Sequence, residues 1–121
     1  MLIKYKKSYE KIAMGLLSFM PTEKDIKKLQ QTMKSYENEE NMHLFLWKDE
    51  DIIGLIGVKS SDGQHLTIQH ISVNPSFRHQ GVGKRMIQAI KELYPDKELK
   101  PNEYTAPFMD HCDWEHREGI E

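Results

Sequence analysis

The stretch Ile71-Ser-Val-Asn-Pro-Ser-Phe-Arg78-His-Gln-Gly81-Val-Gly83-Lys84 is the most informative part of this chain. It predicts an apolar strand that ends at an Asn-Pro pair, followed by a loop with two glycines that leads directly into a helix. The first turn of such a helix has backbone N–H groups without intrahelical partners, and the helix dipole places positive charge beside them. The junction is therefore a candidate site for an anion, most often a phosphate group.

The spacing of this loop excludes two common phosphate-binding motifs. A dinucleotide fingerprint requires a third glycine where Met86 stands, and a Walker A loop requires glycine at Arg78 and a hydroxyl residue at Arg85. The remaining pattern, Arg-x-x-Gly-x-Gly after a Val-x-Pro strand end, resembles motif A of the GNAT acetyltransferases. The alternative is a strand-to-helix turn that binds no ligand.

The resemblance to GNAT enzymes implies a cofactor and a reaction. It implies that the loop amides hold the pyrophosphate of acetyl-CoA, that the pantetheine arm pairs with the preceding strand, and that an amine attacks the thioester without an acyl-enzyme. No metal is expected. The residues that would bind the cofactor by this resemblance are Ile71, Val73, Arg78, His79, Gln80, Gly81, Val82, Gly83, Lys84 and Asn102.

A general base is harder to identify, because an ammonium group must lose its proton before it can attack. In the family the base often lies on this strand, four or six residues before the valine of the motif. Gln69 and Thr67 occupy those positions, and neither is a base. The candidates are His65, on the same side of an ideal strand, and His70, on the opposite side.

The general acid is also in question. The family places a tyrosine in a last helix, where it protonates the departing thiolate, and Met109 stands at that position here. Tyr104 and His111 are the possible substitutes. Two alternatives to an enzyme therefore stay open: a CoA or acetyl-CoA binding or sensor module of the same fold, and an interaction domain whose glycine loop is structural.

Composition sets the outer limits of these interpretations. A chain of 121 residues supports a single domain over residues 1–121. The net charge of −2, without a basic block, argues against nucleic-acid binding. One cysteine, Cys112, fits a reducing compartment, and no apolar run is long enough to span a membrane. We expect a cytoplasmic protein.

Apolar periodicity predicts a mixed α/β fold, with a mostly antiparallel central sheet flanked by helices, in the order that GNAT domains show. Pro21 is expected to end the first helix, and Thr22 with Asp25 to form a capping box for the second. Gly54 and Gly57 suggest a bulge or a close backbone approach. The predicted elements are a strand at 2–5, helices from 9 and 22, strands at 43–47, 52–58 and 64–73, a helix after the glycine loop, a strand at 97–100 and a helix at 105–112.

The C-terminal end is expected to be shortened, because only seven residues follow Trp114 where GNAT domains continue with two strands. This implies an open acceptor site, a large acceptor, or a partner subunit in a homodimer. The size, the motif and the short end resemble small GNAT-like proteins that bacilli encode with riboflavin genes, which implies a link to riboflavin metabolism. The amine acceptor, a small molecule or a protein lysine, is not identified by any motif.

Overall fold

A five-stranded sheet forms the centre of the computed structural model, which describes residues 1–108. The strands follow one another in chain order; the first four are antiparallel, and the fifth is parallel to the fourth. The predicted mixed sheet is confirmed. The elements are β1 (Leu2–Lys4), α1 (Glu10–Leu17), α2 (Ile26–Asn38), β2 (Met42–Asp49), β3 (Asp51–Ser60), β4 (His65–Val73), α3 (Val82–Leu93) and β5 (Glu98–Pro101).

Helices cover both faces of the sheet. On one face α1 and α2 pack on a cluster of buried side chains that includes Leu46 and Leu55. On the other face α3 packs on a second cluster that includes Ile56, Met86 and Ile90. Burying each large apolar side chain contributes about 1.5–3 kcal/mol, so the two clusters fix the helices firmly on the sheet. No helix of residues 1–108 has the length and apolar character needed to cross a membrane.

The meander of β2, β3 and β4 confirms the antiparallel arrangement expected from the sequence. Asp49 pairs with Asp51 across a turn in which Glu50 has a φ of 65°. In the next turn the Asp62 carboxylate accepts hydrogen bonds from the backbone N–H of Gln64 and of His65, at 2.7 and 2.9 Å. These side-chain contacts hold the start of β4 against the turn.

The segment between α1 and α2 differs from the prediction. α1 ends at Leu17, well before Pro21, and residues Pro21–Glu23 form a separate 3-10 turn. The predicted capping box is wrong, because the N-cap of α2 is Asp25, whose carboxylate accepts from the Lys27 N–H at 3.3 Å. The extra turn has a consequence for the site, since it buries the Glu23 side chain under the sheet.

Two glycines of β3 confirm the expected close approach. A Cβ atom at Gly57 would lie 2.0 Å from the hydroxyl oxygen of Tyr36, and one at Gly54 would lie 3.0 Å from the sulfur of Met86. The bulges lie elsewhere, at Ile53 and at Gln69, where the strand registers shift by one residue. The second half of the predicted helix at 105–112 lies outside the described residues, as do Met109 and His111.

Candidate active site

An extra residue in β4 changes which side chains face which layer. Gly57 pairs with His70 while the next residue, Val58, pairs with Ile68, so Gln69 is a β-bulge. Leu66 and Ile68 belong to the cluster under α3 before the bulge, and Ile71 and Val73 belong to it afterwards. His70 therefore lies on the α1–α2 face, together with His65 and not opposite it. The ideal-strand expectation was wrong because the bulge reverses the alternation.

The edge of β4 beyond the bulge is separated from β5. The parallel pairing covers only residues 65–68 of β4 and 98–101 of β5. The chain after β5 then turns away, held by the Asn102 side-chain amide on the Gln69 carbonyl at 3.2 Å and by the Thr105 hydroxyl on the Ile68 carbonyl at 2.9 Å. Within residues 1–108 this divergence leaves a gap beside residues 70–73, where no strand pairs with that edge of β4.

The glycine loop presents the first turn of α3 to that gap. Gly81, the N-cap residue, is left-handed with a φ of 78° and provides no side-chain cap. His79 is also left-handed, with a φ of 67°, a conformation that costs a non-glycine residue about 1–2 kcal/mol. The first intrahelical bond into this end joins the Arg85 N–H to the Gly81 carbonyl at 3.0 Å. The preceding amides are therefore available to an anion.

A first cavity of about 350 Å³ lies between the loop, the end of β4 and the segment before α2. Eight of the ten residues predicted to bind the cofactor line it; Gln80 and Asn102 do not. Gly83 has a further role, because a Cβ atom there would lie 2.0 Å from the ring of Phe108. Tyr104, already considered as a substitute general acid, lines this cavity too. The other lining residues are apolar or small and were not predicted to bind the cofactor: Phe19, Met20, Pro21, Ser72, Phe77 and Phe108.

A second cavity, of about 510 Å³, lies on the α2 side of β4. Tyr104 lines both cavities and His70 lines the second. Asn102 lines the second cavity too, where its side-chain oxygen accepts from the backbone of Tyr104 at 2.9 Å. The two cavities are thus neighbours that meet at Tyr104, a side chain that is 52% exposed.

His70 is held by a buried polar network. Its Nδ1 lies 2.5 Å from the Tyr36 hydroxyl, and its Nε2 lies 3.5 Å from a carboxylate oxygen of Glu23. The Thr32 hydroxyl donates to the other carboxylate oxygen. Burial lowers the pKa of His70 below its ordinary value of 6.5, although Glu23 opposes the shift. Burial, and then the Glu23 charge, raise the pKa of Tyr36 well above its ordinary value, so the hydroxyl stays protonated.

His65 lies in a different environment. Its ring contacts the Asp62 carboxylate at 3.0 Å and the Glu98 carboxylate at 3.3 Å, at the start of β4. The hydrogen bond from His65 holds the pKa of Asp62 at about 2. His65 lines neither of the two cavities described above. The structure therefore does not bring the two candidate bases together: of the two, His70 lines the second cavity and His65 does not.

Sequence and structure comparisons agree with this geometry. Residues 10–114 match the model of the acetyltransferase (GNAT) family. The chain is 67% identical over 114 residues to an uncharacterised N-acetyltransferase in the lysA 3' region of Bacillus methanolicus, covering 93% of this chain and 95% of the relative. The chain belongs to the GNAT acetyltransferase family.

Solved structures share the fold. Aminoglycoside N-acetyltransferase AAC(6')-Iy in complex with CoA superposes with a TM-score of 0.74 at 17% identity, over 97% of this chain and 84% of that one. A possible acetyltransferase from Clostridium difficile 630 superposes with a TM-score of 0.74 at 14% identity, over 98% and 88% of the chains. At these identities the likeness shows the fold alone.

The family and the relative from Bacillus methanolicus identify the type of reaction. The protein is an N-acetyltransferase, and acetyl-CoA is its acetyl donor. The donor fits the structure, because the first cavity combines the first-turn amides of α3, a glycine N-cap and an edge of β4 that pairs with no other strand within residues 1–108. Within residues 1–108 no cluster of three or more His, Cys, Asp or Glu side chains is arranged to hold a metal ion.

Proposed function

We propose that the protein transfers the acetyl group of acetyl-CoA directly to a primary amine that enters through the second cavity. The observation that carries this proposal is the junction of the two cavities at Tyr104, beside the bulge of β4. One cavity supplies free amides for a diphosphate, and the other supplies a buried imidazole. A donor and an acceptor that occupy them would meet at the end of β4.

The cofactor side of the proposal depends on the glycine loop. Arg78 lines the first cavity and adds a positive charge to the amides of α3. If its guanidinium contacts phosphate, Arg78→Ala weakens acetyl-CoA binding by about 1.5–3 kcal/mol, the range for a charge-assisted hydrogen bond. Arg85→Ala is the matched control, because Arg85 carries the same charge in the first turn of α3 but does not line the cavity. Calorimetry with acetyl-CoA measures both variants.

His70 is the proposed base. When Nδ1–H donates to the Tyr36 oxygen, the Nε2 lone pair is free to take a proton from the attacking amine. The Glu23 carboxylate, 3.5 Å from Nε2, then stabilises the imidazolium that forms. Because the pKa of His70 is lowered, the ring is neutral at pH 7 and ready to accept that proton.

Tyr104 is the proposed proton donor to the departing thiolate. It is a hydroxyl residue at the border of both cavities, and a phenol can donate where Met109 cannot. Tyr104→Phe keeps the ring and removes only the hydroxyl. We expect it to lower kcat about 10²-fold or more while leaving acetyl-CoA affinity near that of the unchanged protein.

A thiol-release assay over a panel of amines tests the proposed function. The panel contains flavin precursors, because a link to riboflavin metabolism is part of the proposal, together with polyamines, amino acids and protein lysines. Release that depends on one amine class and falls with His70→Gln supports the proposal. Tight binding of acetyl-CoA by calorimetry with no turnover on any amine would favour a sensor of the cofactor instead.

A further inference from the structure

The second cavity has a polar wall that restricts what it accepts. Its volume of about 510 Å³ lies within the range of small-molecule sites. Its polar lining consists largely of neutral side chains that donate and accept hydrogen bonds, namely Thr22, Gln31, Thr32, Ser35, Gln69 and Asn102. Two charged side chains join them, Glu23 and Lys28. An occupant therefore meets one carboxylate and one ammonium among the residues that the structure describes.

The carboxylate end suits an amine nitrogen. The Glu23 side chain is 1% exposed, and one of its oxygens is occupied by the Thr32 hydroxyl. The other oxygen lies 3.5 Å from Nε2 of His70, which is longer than an ordinary hydrogen bond. An ammonium group placed between these two atoms can donate to both. That position would hold the acceptor nitrogen beside the proposed base.

The opposite charge comes from Lys28, in the first turns of α2. Lys28 lines the cavity, and its positive charge contributes to the lowered pKa of His70, so the two groups are electrostatically close. Thr22 also lines the cavity, and its hydroxyl oxygen is buried and, within residues 1–108, has no hydrogen-bond partner. Buried polar atoms without partners are rare, and a bound ligand is a usual explanation.

A polycation fits this arrangement poorly. Only one described carboxylate lines the cavity; one of its oxygens accepts from Thr32, and the other is the one that a first ammonium group would use. Glu37, Glu39 and Glu40 line a separate cavity, where Glu37 accepts hydrogen bonds from Tyr5 at 2.7 Å and Lys7 at 3.3 Å. A second positive charge on the acceptor would therefore meet Lys28 without compensation.

We infer that the second cavity binds a compact primary amine that also carries an anionic group, with the ammonium between Glu23 and His70 and the anion at Lys28. This inference rests on the proposed function. It names an acceptor class of the amino-acid type and excludes polyamines as preferred acceptors. Lys28 is then the residue that sets the specificity of the acceptor site, while the carboxylate of Glu23 positions the nitrogen.

Three four-carbon amines test the inference because they differ only at the far end. The probes are 4-aminobutanoate, butylamine and putrescine, whose far ends are anionic, neutral and cationic. We expect kcat/KM to fall in that order, with about a tenfold difference between the first and the last. Lys28→Glu should reverse the order, mainly through KM, and Lys28→Gln should nearly equalise the three.

Lys27→Glu is the matched control, because this substitution makes the same charge change on the same helix and Lys27 does not line the cavity. It should keep the original order. The inference is overturned if putrescine is preferred by the unchanged protein, if the order is the same in the Lys28→Glu protein, or if none of the probes is acetylated while another amine is. The proposed function itself fails separately, when no amine of the broad panel is acetylated.

Discussion

Gly57→Ala gives the sharpest test of the site, because the added methyl group collides with the residue that orients His70. A Cβ atom at position 57 would lie 2.0 Å from the Tyr36 hydroxyl oxygen and 2.4 Å from the ring carbon that bears it. Tyr36 is buried between α2 and the sheet, so its ring must be displaced within the packed layer to relieve the collision. It must leave its 2.5 Å contact with His70.

The expected cost follows from two terms. Overpacking a core costs about 1–3 kcal/mol, and leaving buried hydrogen-bonding groups unpaired costs about 1–3 kcal/mol. Both costs arise from the same displacement of the Tyr36 ring, so they do not add fully. We expect a loss of about 2–5 kcal/mol from the free energy of unfolding. Urea unfolding should show the midpoint lowered by about 1 M or more. The acetyl-transfer rate should fall as well, since the imidazole loses its orientation.

Gly54→Ala is the matched control on the same strand. A methyl group there would lie 3.0 Å from the Met86 sulfur and 3.3 Å from the Trp47 Cβ atom. The flexible thioether side chain of Met86 can adapt to such contacts. The loss in the free energy of unfolding should therefore be about 1 kcal/mol, the lower end of the range for overpacking. Equal midpoints for the two variants, or a Gly57→Ala protein as stable as the unchanged one, would refute the reasoning about Tyr36.

The remaining predictions concern the loop and the two histidines. Gly81→Val should abolish acetyl-CoA binding in calorimetry, because a β-branched residue does not tolerate a φ of 78° and the loop must change its conformation. Circular dichroism should show that the fold is retained. Unchanged affinity would contradict the assignment of the glycine loop to phosphate binding. His70→Gln should reduce kcat at least about 10²-fold and His65→Gln should not, which kinetics on any accepted amine can check. An NMR titration should give His70 a pKa below 6.5. Because the pKa of His70 is lowered in the folded state, its contribution to stability should be complete above pH 6.5 and lost as the pH falls through the folded-state pKa. A measured His70 pKa at or above 6.5 would contradict this expectation.

Much of the fold was predictable because each element depends on local signals. The Asp62-Gly63 turn, the branched residues of the meander and the glycine loop all act within a few positions of sequence. The loop side of the first cavity was predictable for the same reason, since the glycine loop is one continuous segment. The family comparison then confirmed the class of enzyme.

The second cavity was not predictable in this way, because its parts come from distant segments. The sequence around Glu23 is typical of a solvated residue at the start of a helix. Its side chain is buried because residues Pro21–Glu23 form a 3-10 turn. Tyr36 reads as an ordinary apolar position of α2. The contact between Tyr36 and His70 depends on tertiary packing of α2 on the sheet. It also requires that position 57 carries no side chain.

The bulge at Gln69 decides which layer each later side chain of β4 enters. If this extra residue were instead absorbed into regular pairing, the His70 imidazole would enter the α3 layer, and Ile71 and Val73 would move to the other side in the same step. A chain with the same named side chains but an unbroken ladder through Gln69 would therefore lose the contacts of His70 with Tyr36 and Glu23. The spacing along this strand, and not its side chains alone, decides whether an imidazole reaches the second cavity.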